Sequence, residues 1–258
     1  MNPTTLVLIA HPEPRSFNGA WARATYAASE AAGHEVLLSD LVASGFDAVE
    51  HRAHYAALND VDGDAAFDPL RVQDAAARRG ALPEDVAAEV AKLRAADRLV
   101  VHFPLWWFGP PAILKGWFDR CLVHGALHTS SRRFDTGLCR GKKALFCVTT
   151  GSTADESSRT GKEGDATLLL WPLAYALRYV GFTVLKPRLV HGVHGFHDAD
   201  GTAALETRLR SVLAEQSALI ARFDELPAIE FNGDDEFDER GCLKPGMPSH
   251  TPFIRHDP

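Results

Sequence analysis

Three short stretches of this chain combine rings, hydroxyls and permissive backbone in a way that suits a flat, anionic ligand. The richest lies within D-R-L-V-V-H-F-P-L-W-W-F-G-P-P-A-I-L-K-G-W-F-D-R, from Asp97 to Arg120. Its middle sets Pro104, Leu105, Trp106, Trp107 and Phe108 ahead of a Gly109-Pro110-Pro111 stop. A lone tryptophan is most simply core or dimer packing. Successive rings bounded by prolines are harder to bury together, and they point to a flat ligand lying on the loop. The second stretch is H-P-E-P-R-S-F-N, from His11 to Asn18. Ser16 and Asn18 stand where side-chain donors and free helix N-terminal amides can meet a phosphate. Either could equally cap that helix, and the two roles are compatible. The third stretch, Thr149-Thr150-Gly151-Ser152, offers hydroxyls and a glycine to the polar edge of a heterocycle.

Other chemistries lack their residues. No G-x-G-x-x-G or G-x-x-x-x-G-K-[ST] follows a strand, which disfavours a dinucleotide Rossmann site and a P-loop. No G-x-S-x-G elbow is present, so no nucleophilic triad is assembled. The 12 histidines include H-G-V-H-G-F-H at 191–197. No carboxylate or cysteine stands at ligand spacing beside that run, and no metal is assigned.

The elements that must position these loops alternate. Thr5–Ala10 reads as a strand, Gly19–Ala32 as a helix closed by Gly33, and His34–Leu41 as a second strand, a βαβ unit with parallel strands. From Val42 to Gly80 the pattern dissolves, with a turn at Asp62, Gly63 and Asp64. Pro83 opens the next helix, backed by Glu84 and Asp85. Leu99–Phe103 is a strand. The helix after Pro111 sets Leu114, Trp117, Phe118, Cys121 and Leu122 on one face. Lys143–Thr149 and Phe182–Val190 are further strands. Ala166–Val180 is a helix kinked by Pro172, and Thr202–Leu226 is a long final helix. The expected fold is α/β: a flavodoxin-like, doubly wound, five-stranded parallel sheet of order 2-1-3-4-5 with a C-terminal extension. In that order strands 1, 3 and 4 are neighbours, and the three unusual loops follow those same strands. Residues 1–226 read as the catalytic domain. Residues 227–258 read as an extension, anchored by Phe231, Phe237, Leu243 and Phe253, that packs on the domain or on a dimer partner.

The chain has 258 residues, is 46% hydrophobic and 24% charged, and carries a net charge of −7. It can bury a sizeable core, and its acidity argues against non-specific nucleic-acid binding. The 4 cysteines form no C-x-x-C pair and read as reduced packing thiols in a cytoplasmic protein. No run approaches membrane-span length, so no membrane insertion is expected.

The blocks H-P-E-P-R-S-F-N, F-P-L-W-W-F-G-P-P-A-I-L-K-G-W-F-D-R, T-T-G and L-W-P at 170–172 resemble the NAD(P)H:quinone oxidoreductase (DT-diaphorase) family, from about Leu6 to Val193. The resemblance implies a homodimeric FAD enzyme that uses NAD(P)H to reduce a quinone. It implies that His11, Phe17 and Asn18 contact the FAD pyrophosphate and ribityl region. Pro104 to Phe108 would cover the isoalloxazine, with Thr149, Thr150, Gly151 and Ser152 at its other edge. Phe108 would also floor the substrate pocket. The family's catalytic Tyr and His positions fall on Ser157 and Glu163. Its partner-subunit tyrosines fall on His128 and Ser130, and Tyr179 stands near a family Phe. Two further readings keep the flavin: an azo or nitro reductase, and a flavin-binding regulatory subunit of a potassium-efflux system.

Overall fold

The computed structural model describes residues 2–58, 61 and 66–256; the turn expected at Asp62, Gly63 and Asp64 lies outside them. Strands β1 (Thr4–Ile9), β3 (Arg98–Pro104) and β4 (Lys143–Thr149) are buried at nearly every position. Parallel strands covered by helices on both faces require such unbroken apolar runs. With β2 (Glu35–Asp40) and β5 (Thr183–Val184) at the edges, the sheet runs β2-β1-β3-β4-β5, all parallel. A sixth strand, β6 (Arg188–Val190), also pairs with β4. It arises because the single strand expected over Phe182–Val190 is interrupted. Pro187 has no N–H to give, and the Lys186 N–H donates to the Pro227 carbonyl at 2.8 Å instead.

Alternate strand residues face opposite layers. Leu6, Leu8, Leu99, Val101, Phe103, Phe146 and Val148 pack with α3 (Glu84–Ala95), α4 (Ala112–Cys121) and α6 (Trp171–Val180). Val100, Leu145 and Cys147 pack beneath α1 (Phe17–Ala31) and α8 (Gln216–Ala221) through Trp21, Leu219 and Ile220. Within the first layer Trp117 is fully buried and donates its indole N–H to Glu89 at 2.8 Å. Truncating such a ring costs about 3–5 kcal/mol. The connection after β2 holds a short 3₁₀ turn (Arg52–Leu58) and α2 (Pro69–Arg79). It lies tightly on α4 at Gly116, where a Cβ would meet the Ala48 carbonyl oxygen at 2.1 Å.

Two helices differ from their expected form. The Pro172 helix divides at Leu170 into α5 (Ala166–Leu169) and α6, with Pro172 in the first turn of α6, where its missing N–H costs nothing. The final helix starts earlier, because Asp198 caps it through the Gly201 N–H at 2.8 Å. It then breaks between α7 (Ala199–Ala214) and α8 at Glu215. There buried Gln216 accepts from the Thr25 hydroxyl at 3.0 Å and donates to the Val212 carbonyl at 2.8 Å.

The extension lies on its own domain. Ala228 bridges Leu185, the Ile229 N–H donates to the Val184 carbonyl at 2.8 Å, and Phe253 stacks on Trp171 at 4.6 Å. Cys121, Cys139 and Cys147 are buried free thiols, and Cys242 is exposed. Among the described residues, no helix is long and apolar enough to cross a membrane.

Candidate functional site

The loops after β1, β3 and β4 leave adjacent central strands at their carboxyl ends, the position where open α/β sheets place ligands. α1 begins at Phe17 because the Ser16 hydroxyl accepts the Gly19 N–H at 3.2 Å. Its first turn holds no acidic side chain, so the positive helix end is uncompensated and suits an anion. Asn18 is buried, and its Oδ1 accepts the Thr149 hydroxyl at 2.9 Å. Its Nδ2 finds no partner among the described residues. The His11 ring accepts the Glu13 N–H at 3.0 Å and meets Trp106 edge-on at 5.7 Å. Loops one, two and three are thereby joined by direct contacts.

Trp106 and Gly109 exchange two backbone hydrogen bonds, at 2.9 and 3.0 Å, around the Trp107-Phe108 pair. Those central residues have φ of 49° and 62°. Positive φ at both positions is the signature of a type I′ hairpin turn, which prefers Asn-Gly. Bulky L-residues in that region cost roughly 1–2 kcal/mol each. Nothing in the packing compensates, since Trp107 is 95% and Phe108 53% exposed. Strain held on exposed rings marks a ligand site rather than a core. The Trp107, Phe108 and Gly151 N–H groups donate to nothing among the described residues.

The third loop is braced from behind. The Thr150 hydroxyl donates to the Ser152 carbonyl at 2.9 Å and meets His191 Nδ1 at 2.9 Å. Its one proton being used, His191 must donate from Nδ1. Burial pushes the His191 pKa down and favours that neutral ring. The Ser152 and Ser157 hydroxyls lie 2.6 Å apart, with Ser157 buried. Leu105, Trp107, Phe108, Thr150, Gly151, Ser152, Ser157 and Glu163 line one cleft of about 350 Å³, together with Glu156. The Thr153 N–H and then its hydroxyl donate to Glu156 and hold its carboxyl below the usual range. Lys162 stands 3.4 Å from Glu156.

The remaining expected residues are elsewhere. His128, Ser130 and Tyr179 do not line this cleft. His128 donates from Nε2 to the Leu122 carbonyl at 3.1 Å and packs edge-on against Tyr179 at 5.1 Å. Its pKa is pushed down, chiefly by burial. Ser130 is exposed. Residues that line or brace the site but escaped the sequence reading include Gly164, Ala166 and Leu169 on the cleft wall and two polar ones, His191 and Glu156. His191 belongs to a histidine run weighed only for metal, and Glu156 sits in a polar loop with no periodicity.

A family with a flavodoxin-like fold matches residues 3–213. NAD(P)H dehydrogenase (quinone) 1 of Rattus norvegicus is 40% identical over 193 residues, 73% of this chain and 68% of that protein. Ribosyldihydronicotinamide dehydrogenase (quinone) of Homo sapiens is 38% identical over 189 residues, 71% of this chain and 79% of that one. A structure from Klebsiella pneumoniae, assigned as a quinone reductase, superposes with a TM-score of 0.84 at 29% identity, covering 96% of this chain and 98% of that chain.

Proposed function

This chain belongs to the flavodoxin-like family of NAD(P)H:quinone oxidoreductases, and we propose that it uses bound FAD to pass two electrons from NAD(P)H to a quinone. The observation that carries this reading is the strained, exposed Trp107-Phe108 pair, which lines one cleft with Thr150, Gly151 and Ser152.

The residues present fit a flavin. The α1 N-terminus, whose first turn carries no acidic side chain, would with the orphaned Asn18 amide hold the pyrophosphate, together with His11, Ser16 and Phe17. Pro104 to Phe108 would cover the ring system, using the unengaged Trp107 and Phe108 N–H groups. Thr149 to Ser152 would meet its polar edge, with the Gly151 N–H free to donate. When bound, the flavin supplies the two-electron centre, and the balance is NAD(P)H, a proton and a quinone giving NAD(P)+ and a hydroquinone. The protein's own share is orientation and exclusion of water. The 106–109 turn holds the rings at one angle, and His191 fixes the Thr150 hydroxyl. Ser157 steadies Ser152. Glu156 and Glu163 put acidic side chains on the cleft wall.

Residues 1–226 act as the catalytic domain and 227–258 as a strap across it. A homodimer completes the pocket, the second copy contributing its 128, 130 and 179 positions. This rests on His128, Ser130 and Tyr179 lying outside the chain's own cleft. A fully active monomer by light scattering would rule it out.

Turnover tests the function. The protein is reconstituted with FAD or FMN, the retained flavin is chromatographed, and NADH or NADPH oxidation is followed with menadione. FAD retention with quinone-dependent oxidation is expected. Tight flavin binding without turnover would favour the regulatory reading instead.

A further inference from the structure

Asp47, His51 and His54 sit in the polar connection after β2, a D-x-x-x-H-x-x-H spacing apart from the cleft. One ligand atom from each lies within 4.8 Å of the others. We propose that these three side chains bind a zinc-class divalent ion that fixes the fold of this connection.

Both carboxylate–imidazole separations approach those of a coordination polyhedron. Asp47 Oδ2 lies 3.0 Å from His54 Nε2 and 3.4 Å from His51 Nε2. Ligands at about 2.0–2.1 Å from a tetrahedral zinc stand roughly 3.4 Å apart. The carboxylate is aimed, because the Val49 N–H donates to Asp47 Oδ1 at 3.0 Å and leaves Oδ2 toward the imidazoles. Its backbone is pinned as well, since the buried Arg120 guanidinium donates to the Asp47 carbonyl and to the Asp85 carboxylate.

An outer carboxylate stands behind one ligand. His54 Nδ1 faces Glu50 Oε1 at 3.4 Å. The other Glu50 oxygen accepts from the Tyr55 hydroxyl at 3.0 Å and from Gln73 Nε2 at 2.8 Å. A carboxylate–histidine pair of this kind fixes the ring that ligates a metal. The two imidazoles stack at 3.7 Å with a 28° tilt, and coordination fans them apart by rotation of the half-exposed His51. Asp47 and His51 side chains are 48% and 44% exposed against 15% for His54, which leaves the fourth position to water. Two imidazoles and one carboxylate select zinc-class ions over calcium or magnesium.

The test uses the full-length, flavin-loaded protein stripped of metal and titrated with Zn²⁺ against a chromophoric chelator. One tight equivalent is expected, weakened at least about tenfold in His51→Ala and unchanged in His194→Ala, with flavin content equal in all three. No tight equivalent in the wild type, equal affinity in His51→Ala, or loss in His194→Ala would overturn the proposal. Cobalt substitution of the wild type reads the site without a variant. An intense four-coordinate visible band is expected, and a weak octahedral spectrum counts against the site.

Discussion

The Thr149 hydroxyl donates to the Asn18 carboxamide at 2.9 Å, tying the end of a central strand to the first turn of α1 while leaving the Asn18 amide N–H₂ without a partner among the described residues. The contact orients a buried donor in the first turn of α1, beside the anion end of the proposed flavin site. Thr149→Val should cost about 1 kcal/mol of stability and weaken flavin retention several-fold. Urea unfolding and flavin fluorescence titration measure the two effects. Unchanged flavin affinity would mean that Asn18 does not contact the cofactor.

The turn at Trp107 and Phe108 stores strain that a turn built only for stability would not keep. Replacing the pair by Asn-Gly, which suits positive φ at both positions, should raise the flavin-free melting temperature, relieving roughly 1–2 kcal/mol at each position. Flavin affinity should fall tenfold or more. A lower melting temperature with affinity intact would show that the rings serve packing.

Much of this architecture was legible because its signals are local. β3 and β4 are continuous apolar runs, and the ring loop is bounded by prolines. The split of the last strand was not legible, because it depends on the Lys186 N–H finding Pro227 in the extension. His191 became a site residue only through its contact with Thr150, and no periodicity reports such a pair. The Asp47-His51-His54 cluster hid in a stretch whose apolar pattern dissolves. Arg120 and Gly116, both on α4, are what fold it back.

Acid should destabilise the protein through its buried histidines. His102 is fully buried with no ring hydrogen bond among the described residues, and burial pushes its pKa down to about 3. Unfolded, it titrates near the ordinary 6.5. Between those values the unfolded chain binds the extra proton, so stability is full above pH 6.5 and falls as pH drops toward 3, by up to about 1.4 kcal/mol per unit for this group. His34 and His191, also depressed by burial, act in the same direction. His102→Leu should flatten the slope of unfolding free energy between pH 4 and 6. A slope equal to the wild type's would remove His102 as its source.

Glu163 lines the cleft where the family resemblance places a histidine. A carboxylate there opposes the gain of negative charge nearby. Glu163→Gln is expected to bind flavin normally and to leave the rate of hydride transfer unchanged or faster. Stopped-flow reduction by NAD(P)H is decisive, since a hundredfold slowing would make Glu163 a required acid.

In the proposed reaction two electrons pass through a flavin held by the three loops. The most direct measurement is the visible spectrum of the FAD-loaded protein under anaerobic titration. One equivalent of NAD(P)H should bleach the flavin band, and one equivalent of menadione should restore it, with hydroquinone formed in equal amount. A protein that holds no flavin after reconstitution, or whose reduced flavin is not reoxidised by the quinone, would contradict the account.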